Sequence, residues 1–264
     1  MITIAIYGIC GRMGNAVASL ALDDKDIKVV GALERRGHAM LGADVGSLIG
    51  RGKIDLPVSY DLSAKADVLL DFTEPSATLD ALWSCLEKNM AMVIGTTGHN
   101  TEQRAAIEDA ADKIPIVMSP NMSVGVNLLF EVVRRTAEIL GDKYDVEIVE
   151  AHHRFKKDAP SGTARALVET IGDARQLGSP PVVYGREGAL EERKRGEIGV
   201  HSVRAGDIAG DHTVMFVTNG ERLEYTHRAH SRECFARGAI QAAKFVVGKS
   251  PAVYSMSDVL GLKY

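Results

Sequence analysis

Cysteine is scarce in this chain and poorly placed for cross-linking. Cys10, Cys85 and Cys234 are three in number, far apart and without CxxC spacing, which argues against a disulfide framework and against a structural zinc site. A reducing compartment, the cytoplasm, is therefore expected. No run approaches the ~20 apolar residues of a membrane span. The apolar start ITIAIYG also lacks the basic flank and longer apolar region of an export signal. Nor is there a basic block: 31 Lys and Arg are interspersed with 35 Asp and Glu, so neither nucleic acid nor membrane is an expected partner. Internal repeats and low-complexity segments are absent as well.

What remains is an ordinary globular composition. With 264 residues and 45% apolar content, the chain can build one large or two moderate cores. Ile2 to Tyr7 is a near-continuous apolar, β-branched run, as expected of a strand buried on both faces of a parallel sheet. Gly8-Ile9-Cys10-Gly11-Arg12-Met13-Gly14 follows, and then apolar positions at helical spacing. Glycines at 8, 11 and 14 permit a tight turn and close approach of a pyrophosphate to a helix start. The spacing differs from the commoner GxGxxG, because Cys10 stands where the middle glycine belongs.

A second strand, Ile27 to Leu33, ends in Glu34, where a dinucleotide fold places its ribose-binding acid. Arg35 and Arg36 follow and suit a 2′-phosphate, so NADH and NADPH both stay open. Strands at Asp67 to Phe72, Ala91 to Ile94 and Ile114 to Met118 alternate with helices at Pro75 to Lys88 and Thr101 to Asp112. The alternation predicts a doubly wound parallel sheet. Ligands bind beyond the carboxyl ends of such strands. Those ends read Asp71-Phe72-Thr73, Gly95-Thr96-Thr97-Gly98 and Ser119-Pro120-Asn121-Met122.

From Ser123 the pattern changes to a long amphipathic helix, then a strand from Tyr144 to Ala151. Three further strands are expected at Ile198 to Ala205, Thr213 to Thr218 and Arg222 to His227, two of them joined by the hairpin signal Asn219-Gly220. The mixed-charge segment Arg186 to Arg195 reads as a mobile loop or lid. Overall, the fold class is α/β: an N-terminal Rossmann-like doubly wound parallel sheet plus an α+β C-terminal domain with a mainly antiparallel sheet. The expected domains are residues 1–122, completed by 233–264, and residues 123–232.

The chemistry concentrates between Glu147 and Ala164, EIVEAHHRFKKDAPSGTA. Ser161 sits where a helix N-cap is expected, so the amides after it present the positive end of a helix dipole to an anion such as a carboxylate. His152, His153, Lys156 and Lys157 add titratable donors and positive charge just upstream. Adjacent strand residues face opposite ways, so the two histidines can share a site only if the strand ends there. A zinc site from His152, His153 and Asp158 matches no usual ligand spacing, and no metal is expected. A nucleophilic-cysteine dehydrogenase fits poorly too, since Cys85 falls inside a helix.

Taken together, the glycine turn, Glu34, Gly95-Thr96-Thr97, His152-His153-Arg154-Phe155-Lys156 and Ser161-Gly162-Thr163 make the chain resemble the dihydrodipicolinate reductase family over nearly its whole length. The likeness extends to Arg204-Ala205-Gly206-Asp207-Ile208-Ala209-Gly210-Asp211-His212-Thr213. It departs at Phe155, where some relatives carry a polar or basic residue. The resemblance implies NAD(P)H-dependent reduction of 4-hydroxy-tetrahydrodipicolinate, a small dicarboxylate of lysine and diaminopimelate biosynthesis. It implies His152 as proton donor with Lys156 as a second acid, and substrate contacts from His153, Ser161, Gly162, Thr163 and Arg232. NADH or NADPH would lie on Gly8, Gly11, Arg12, Met13, Gly14, Glu34 and Arg35. Phe72, Gly95, Thr96, Thr97, Ser119, Pro120, Asn121 and Met122 would lie nearer the nicotinamide. A homotetramer and closure of the two domains over both ligands are further implications.

Overall fold

The computed structural model describes residues 1–63, 65–188 and 191–262. The first part of the chain runs β1 (Ile2–Tyr7), α1 (Arg12–Ala21), β2 (Ile27–Leu33), α2 (Val45–Leu48), β3 (Val68–Asp71), α3 (Pro75–Lys88), β4 (Ala91–Ile94), α4 (Thr101–Ala111) and β5 (Pro115–Met118). Next come α5 (Val124–Leu140), β6 (Asp145–His152), α6 (Gly162–Ala174), β7 (Val182–Tyr184), β8 (Ile198–Arg204), β9 (Gly210–Thr218) and β10 (Glu221–Ala229). The chain closes with α7 (Glu233–Val246), β11 (Ala252–Tyr254) and α8 (Met256–Leu260).

Contacts divide these elements into two compact units. One comprises Met1–Val124 and the chain from Arg232 onward, the other Gly125–Ser231. In the first unit six strands lie in the order β11-β5-β4-β3-β1-β2, all parallel. The apolar runs make this possible: Ile4, Ala5 and Ile6 in β1, and all of β4, are buried, as strands covered by helices on both faces must be. Val17, Ala18 and Ala21 of α1 share one core with Ala236, Ala239, Ala242, Ala243 and Val246 of α7. Ala81, Leu82 and Cys85 of α3 and Ile107, Ala110 and Ala111 of α4 belong to a second core. Each fully buried Ile or Leu contributes about 1.5–3 kcal/mol.

The second unit holds a five-stranded sheet in the order β10-β9-β6-β8-β7. Asn219-Gly220 joins β9 to β10 in a two-residue hairpin, Thr218 pairing with Glu221. Gly220, at φ 91°, supplies the left-handed conformation that tight turn requires. The sheet is mixed, because β6 with β8, and β8 with β7, run parallel. Helix α6 between β6 and β7 is the kind of crossover that permits parallel neighbours. Val146, Ile148, Val214 and Phe216 bury one sheet face in a core with α5 and α6 residues, including Leu129, Val133, Leu167 and Ile171.

Three short elements, α2, β7 and β11, carry too few residues to show a period in the sequence. The Arg186 to Arg195 segment is tied down at both ends, since Arg186 and Arg193 each bond the Glu147 carboxylate at 3.1 Å. Ala189 and Leu190 in its middle lie outside the described residues, as do Lys263 and Tyr264 of the expected completing segment. Among the described residues, no helix is long and apolar enough to cross a membrane.

One close approach locks α7 in place. A Cβ on Gly238 would stand 1.7 Å from the Met122 carbonyl oxygen, so only glycine lets the helix meet the turn after β5. Gly238→Ala is expected to cost about 1–3 kcal/mol, the range for overpacking, read as a lower urea midpoint at unchanged m. A midpoint equal to that of the unsubstituted chain would show that the contact does not constrain the fold.

Candidate active site

Within the second unit, the site grows from the end of β6. Alternation along the strand puts Val146, Ile148, Glu150 and His152 on the buried face. The strand stops at His152, which frees His153 from the alternation. Glu150 has no solvent exposure, so its charge must be met by protein donors. Arg204 supplies two bonds of 2.8 Å, the Ser161 N–H a third at 3.1 Å, and His152 Nδ1 lies 2.6 Å away. Burial alone would raise the Glu150 carboxyl, but Arg204, His152, Ser202 and the Ser161 N–H outweigh it and hold it at about 2.

An ionised Glu150 only accepts, so His152 Nδ1 carries a proton and donates it to this bond, leaving Nε2 as the exchangeable nitrogen. Burial lowers the His152 imidazole below its ordinary value; Glu150 opposes this, and Lys156 and Arg204 reinforce it. Gly210 gives Nε2 its room, since a Cβ there would lie 3.1 Å from it. His212 packs edge-on to His152 with ring centroids 5.1 Å apart. Burial first, and then the neighbouring His152, push His212 down to about 3, so it stays neutral.

Ser161 caps α6 as its sequence position predicts. Its Oγ accepts the Ala164 N–H at 3.1 Å and lies 3.0 Å from His212 Nε2. The backbone at Gly162 is open to a ligand, since a Cβ there would meet nothing closer than Arg165 at 3.9 Å. Lys156 is paired with Asp158 at 2.9 Å. Among the described residues, the buried Nδ1 of His153 has no hydrogen-bond partner.

In the first unit the glycine turn is built by close approach. A Cβ on Gly8 would lie 2.5 Å from the Phe72 carbonyl oxygen, and one on Gly14 would lie 2.2 Å from that of Gly8. Helix α1 begins after Gly11 with no side-chain cap, which leaves its first amides for an anion. The Glu34 carboxylate accepts the Cys10 N–H at 3.2 Å and the Arg35 N–H at 3.0 Å. Burial, then Glu34, push the Cys10 thiol up to about 11.

The rim at β3 and β4 hangs on Asp71. Its buried carboxylate accepts hydrogen bonds from the hydroxyls of Thr73, Thr78 and Thr96. Thr96 Oγ1 in turn accepts the Thr73 N–H at 2.9 Å. Burial raises the Asp71 carboxyl, against these hydroxyl bonds. The Phe72 ring packs so closely on Gly95 that a Cβ there would lie 2.1 Å from it. Ser119 Oγ donates to the Asn121 carbonyl at 2.8 Å, which shapes the third turn with Pro120 and Met122.

The second unit thus gathers His152, His153, Lys156, Ser161, Gly162 and Thr163 around one strand end and helix start, with Thr97 and Arg12 exposed in the first unit. Arg232 belongs to the first unit, at the start of α7. Burial, then the nearby Arg12, lower its guanidinium. Arg204, Gly210 and His212 stand in the sequence only as part of a family-like segment, and neither they nor Glu150 carry an expected part in the chemistry. Period two along β6 puts Glu150 on the face of His152, but its partners come from β8 and β9. Among the described residues, one group of three metal-capable side chains has its ligand atoms within 4.8 Å: Cys10, Glu34 and His38. His152, His153 and Asp158 form no such group.

A parallel sheet with a glycine turn, joined to a second α+β unit, defines a two-domain NAD(P)H-dependent oxidoreductase. Residues 2–122 match the family model described as dihydrodipicolinate reductase, N-terminus, and residues 125–260 match that of the C-terminus. A relative from Hahella chejuensis (strain KCTC 2396), 4-hydroxy-tetrahydrodipicolinate reductase, is 49% identical over 100% of both chains. One of the same name from Anaeromyxobacter sp. (strain Fw109-5) is 50% identical, covering 100% of this chain and 99% of its own. The chain belongs to the dihydrodipicolinate reductase family. A solved dipicolinate-bound dihydrodipicolinate reductase from Paenisporosarcina sp. TG-14 superposes with TM-score 0.75 at 25% identity over 97% of each chain. C. glutamicum DAP dehydrogenase, at 14% identity and TM-score 0.55 over 100% of this chain and 96% of its own, shares the fold.

The Glu150–Arg204 pair generates a pH-dependent stability. Arg204→Met strands a buried carboxylate, and a loss of about 3 kcal/mol is expected at pH 7, measured by urea unfolding. Glu150 is held at about 2 against an ordinary 4.5. Its contribution is therefore complete above about 4.5 and fades as pH falls towards 2. The gap between wild type and variant should narrow as pH falls through that window; a gap constant with pH would assign the loss to packing.

Proposed function

We propose that this protein reduces 4-hydroxy-tetrahydrodipicolinate to tetrahydrodipicolinate with NADH or NADPH. The buried Glu150–His152 pair, 2.6 Å apart beside the Ser161 helix start, carries this proposal. Bound nicotinamide supplies the hydride chemistry. Gly8, Gly11 and Gly14 keep side chains out of the pyrophosphate turn, and the uncapped start of α1 offers amides to it, next to Arg12 and Met13. Glu34 accepts from the ribose hydroxyls in this reading, and the exposed Arg35 and Arg36 suit a 2′-phosphate. Phe72, Gly95, Thr96, Thr97, Ser119, Pro120, Asn121 and Met122 form the nicotinamide end.

The substrate carries two carboxylates on a small ring. The α6 start at Ser161, Gly162 and Thr163, with Lys156 and His153, supplies the matching donors and cations. Reduction of a conjugated imine leaves a carbon that must gain a proton, and His152 Nε2 gives it. Glu150 holds the ring by Nδ1 and fixes which nitrogen is free. Lys156 stabilises the charge that develops nearby. The unit of Met1–Val124 and the chain from Arg232 onward serves as the dinucleotide-binding domain, and Gly125–Ser231 as the substrate-binding and oligomerisation domain. Four copies assemble through the second sheet, on which Val203 and Leu223 are exposed.

The test is oxidation of NADH and of NADPH in the presence of dihydrodipicolinate synthase product. Binding of either without turnover would make the protein a nucleotide sensor instead. His152→Gln is expected to lose ~10²-fold or more in kcat with dinucleotide affinity unchanged, and Lys156→Ala a similar amount. Near-normal turnover in either variant removes that residue from the mechanism. In Glu150→Gln the histidine loses the carboxylate that raises it, so the alkaline limb of the kcat profile should move to lower pH. A limb that stays in place would reduce Glu150 to a structural role.

A further inference from the structure

Cys10, Glu34 and His38 bring a sulfur, a carboxylate oxygen and an imidazole nitrogen within 4.8 Å of one another. All three are partly exposed, so an ion from solvent can reach them. They come from separate elements: the turn after β1, the end of β2 and the loop beyond it. Cys10 occupies the place that the commoner glycine motif gives to its middle glycine. The carboxylate is already oriented by the N–H groups of Cys10 at 3.2 Å and Arg35 at 3.0 Å and bonds the Cys10 thiol, so a cation that displaces the thiol proton takes over a lone pair already turned to the sulfur. His38 is committed only through Nδ1, which accepts the exposed Met40 N–H at 3.2 Å, so ligation gives up one solvent-replaceable bond.

Sulfur, imidazole and carboxylate together form a ligand set for Zn²⁺, and three protein ligands leave its fourth position to water. We infer that Cys10, Glu34 and His38 form a binding site for Zn²⁺ or a similar borderline-soft divalent cation, and that this ion and the dinucleotide exclude one another. As the metal–sulfur bond forms, the thiol proton passes to solvent, and nothing is oxidised or reduced. Exclusion follows because the ion takes the Glu34 lone pairs that a ribose needs and sits in the turn that a pyrophosphate must approach. The exclusion half rests on the proposed dinucleotide site; the metal-binding half does not.

Two measurements on the full chain separate the halves. Titration with Co²⁺ should produce a thiolate-to-cobalt charge-transfer absorption that saturates at one ion per chain. That absorption should vanish in Cys10→Gly and weaken in His38→Ala. Its absence from the wild type, or its persistence in Cys10→Gly, overturns the site. Binding of NADPH is then measured with and without Zn²⁺. At a Zn²⁺ concentration 100 times its wild-type Kd, the apparent Kd for NADPH should rise about 100-fold in the wild type, less in His38→Ala, and stay fixed in Cys10→Gly. A cobalt absorption as expected with an NADPH Kd that zinc leaves unmoved overturns the exclusion. Failure of the metal-free wild type to bind either NADH or NADPH overturns the dinucleotide reading instead, and leaves the metal site to be judged on the cobalt absorption; if it binds NADH alone, the zinc measurement is made with NADH.

Discussion

A carboxylate with no exposure to water keeps its charge only if every lone pair that water would have served is served by the protein. Glu150 meets that condition through residues from three places: Arg204 at the end of β8, the Ser161 backbone at the start of α6, and His152 two positions along its own strand. The histidine's tautomer, the position of the helix start and the end of β8 are consequently fixed by one charge, and a partly made network would be worse than none.

Asp71 shows what the same burial does without a cation. Three threonine hydroxyls serve it, and burial still wins, so its carboxyl is raised where that of Glu150 is lowered. Donor charge contributes to the difference, since a guanidinium compensates a buried anion better than neutral hydroxyls; the deeper burial of Asp71 contributes as well. Each network nonetheless does similar mechanical work. Glu150 binds a helix start to a strand end, and Asp71 binds the Phe72–Thr73 turn to the Gly95–Thr96 turn.

Much of this was legible in the sequence because it is local. Apolar runs of strand length, the three-glycine turn, Asn219-Gly220 and the Ser161 cap each depend on a few consecutive residues, and each appears where its pattern put it. The site divides along the same line. His152, Lys156 and Ser161 declare themselves by spacing, whereas Arg204, Gly210 and His212 matter because β8 and β9 lie beside β6, and strand order has no local signature. The expectation of a mainly antiparallel second sheet left the parallel pairs unplaced for that reason: a hairpin signal announces an antiparallel pair, but nothing in β7 or β8 announces the parallel neighbours. The Cys10–Glu34–His38 grouping is likewise a product of the fold, since it needs the turn after β1 and the end of β2 side by side.

The sheet of the first unit takes its edge strand, β11, and one of its covering helices, α7, from the end of the chain, while the second unit is inserted whole between β5 and α7. Synthesis at about 5–20 residues per second therefore delivers a complete second unit before the first can close its sheet. During that interval β5 offers an unpaired edge and the Ala-rich partner of α1 does not yet exist. The reading order of the gene thus sets an order of assembly in which the nucleotide half, first to emerge, is last to be finished.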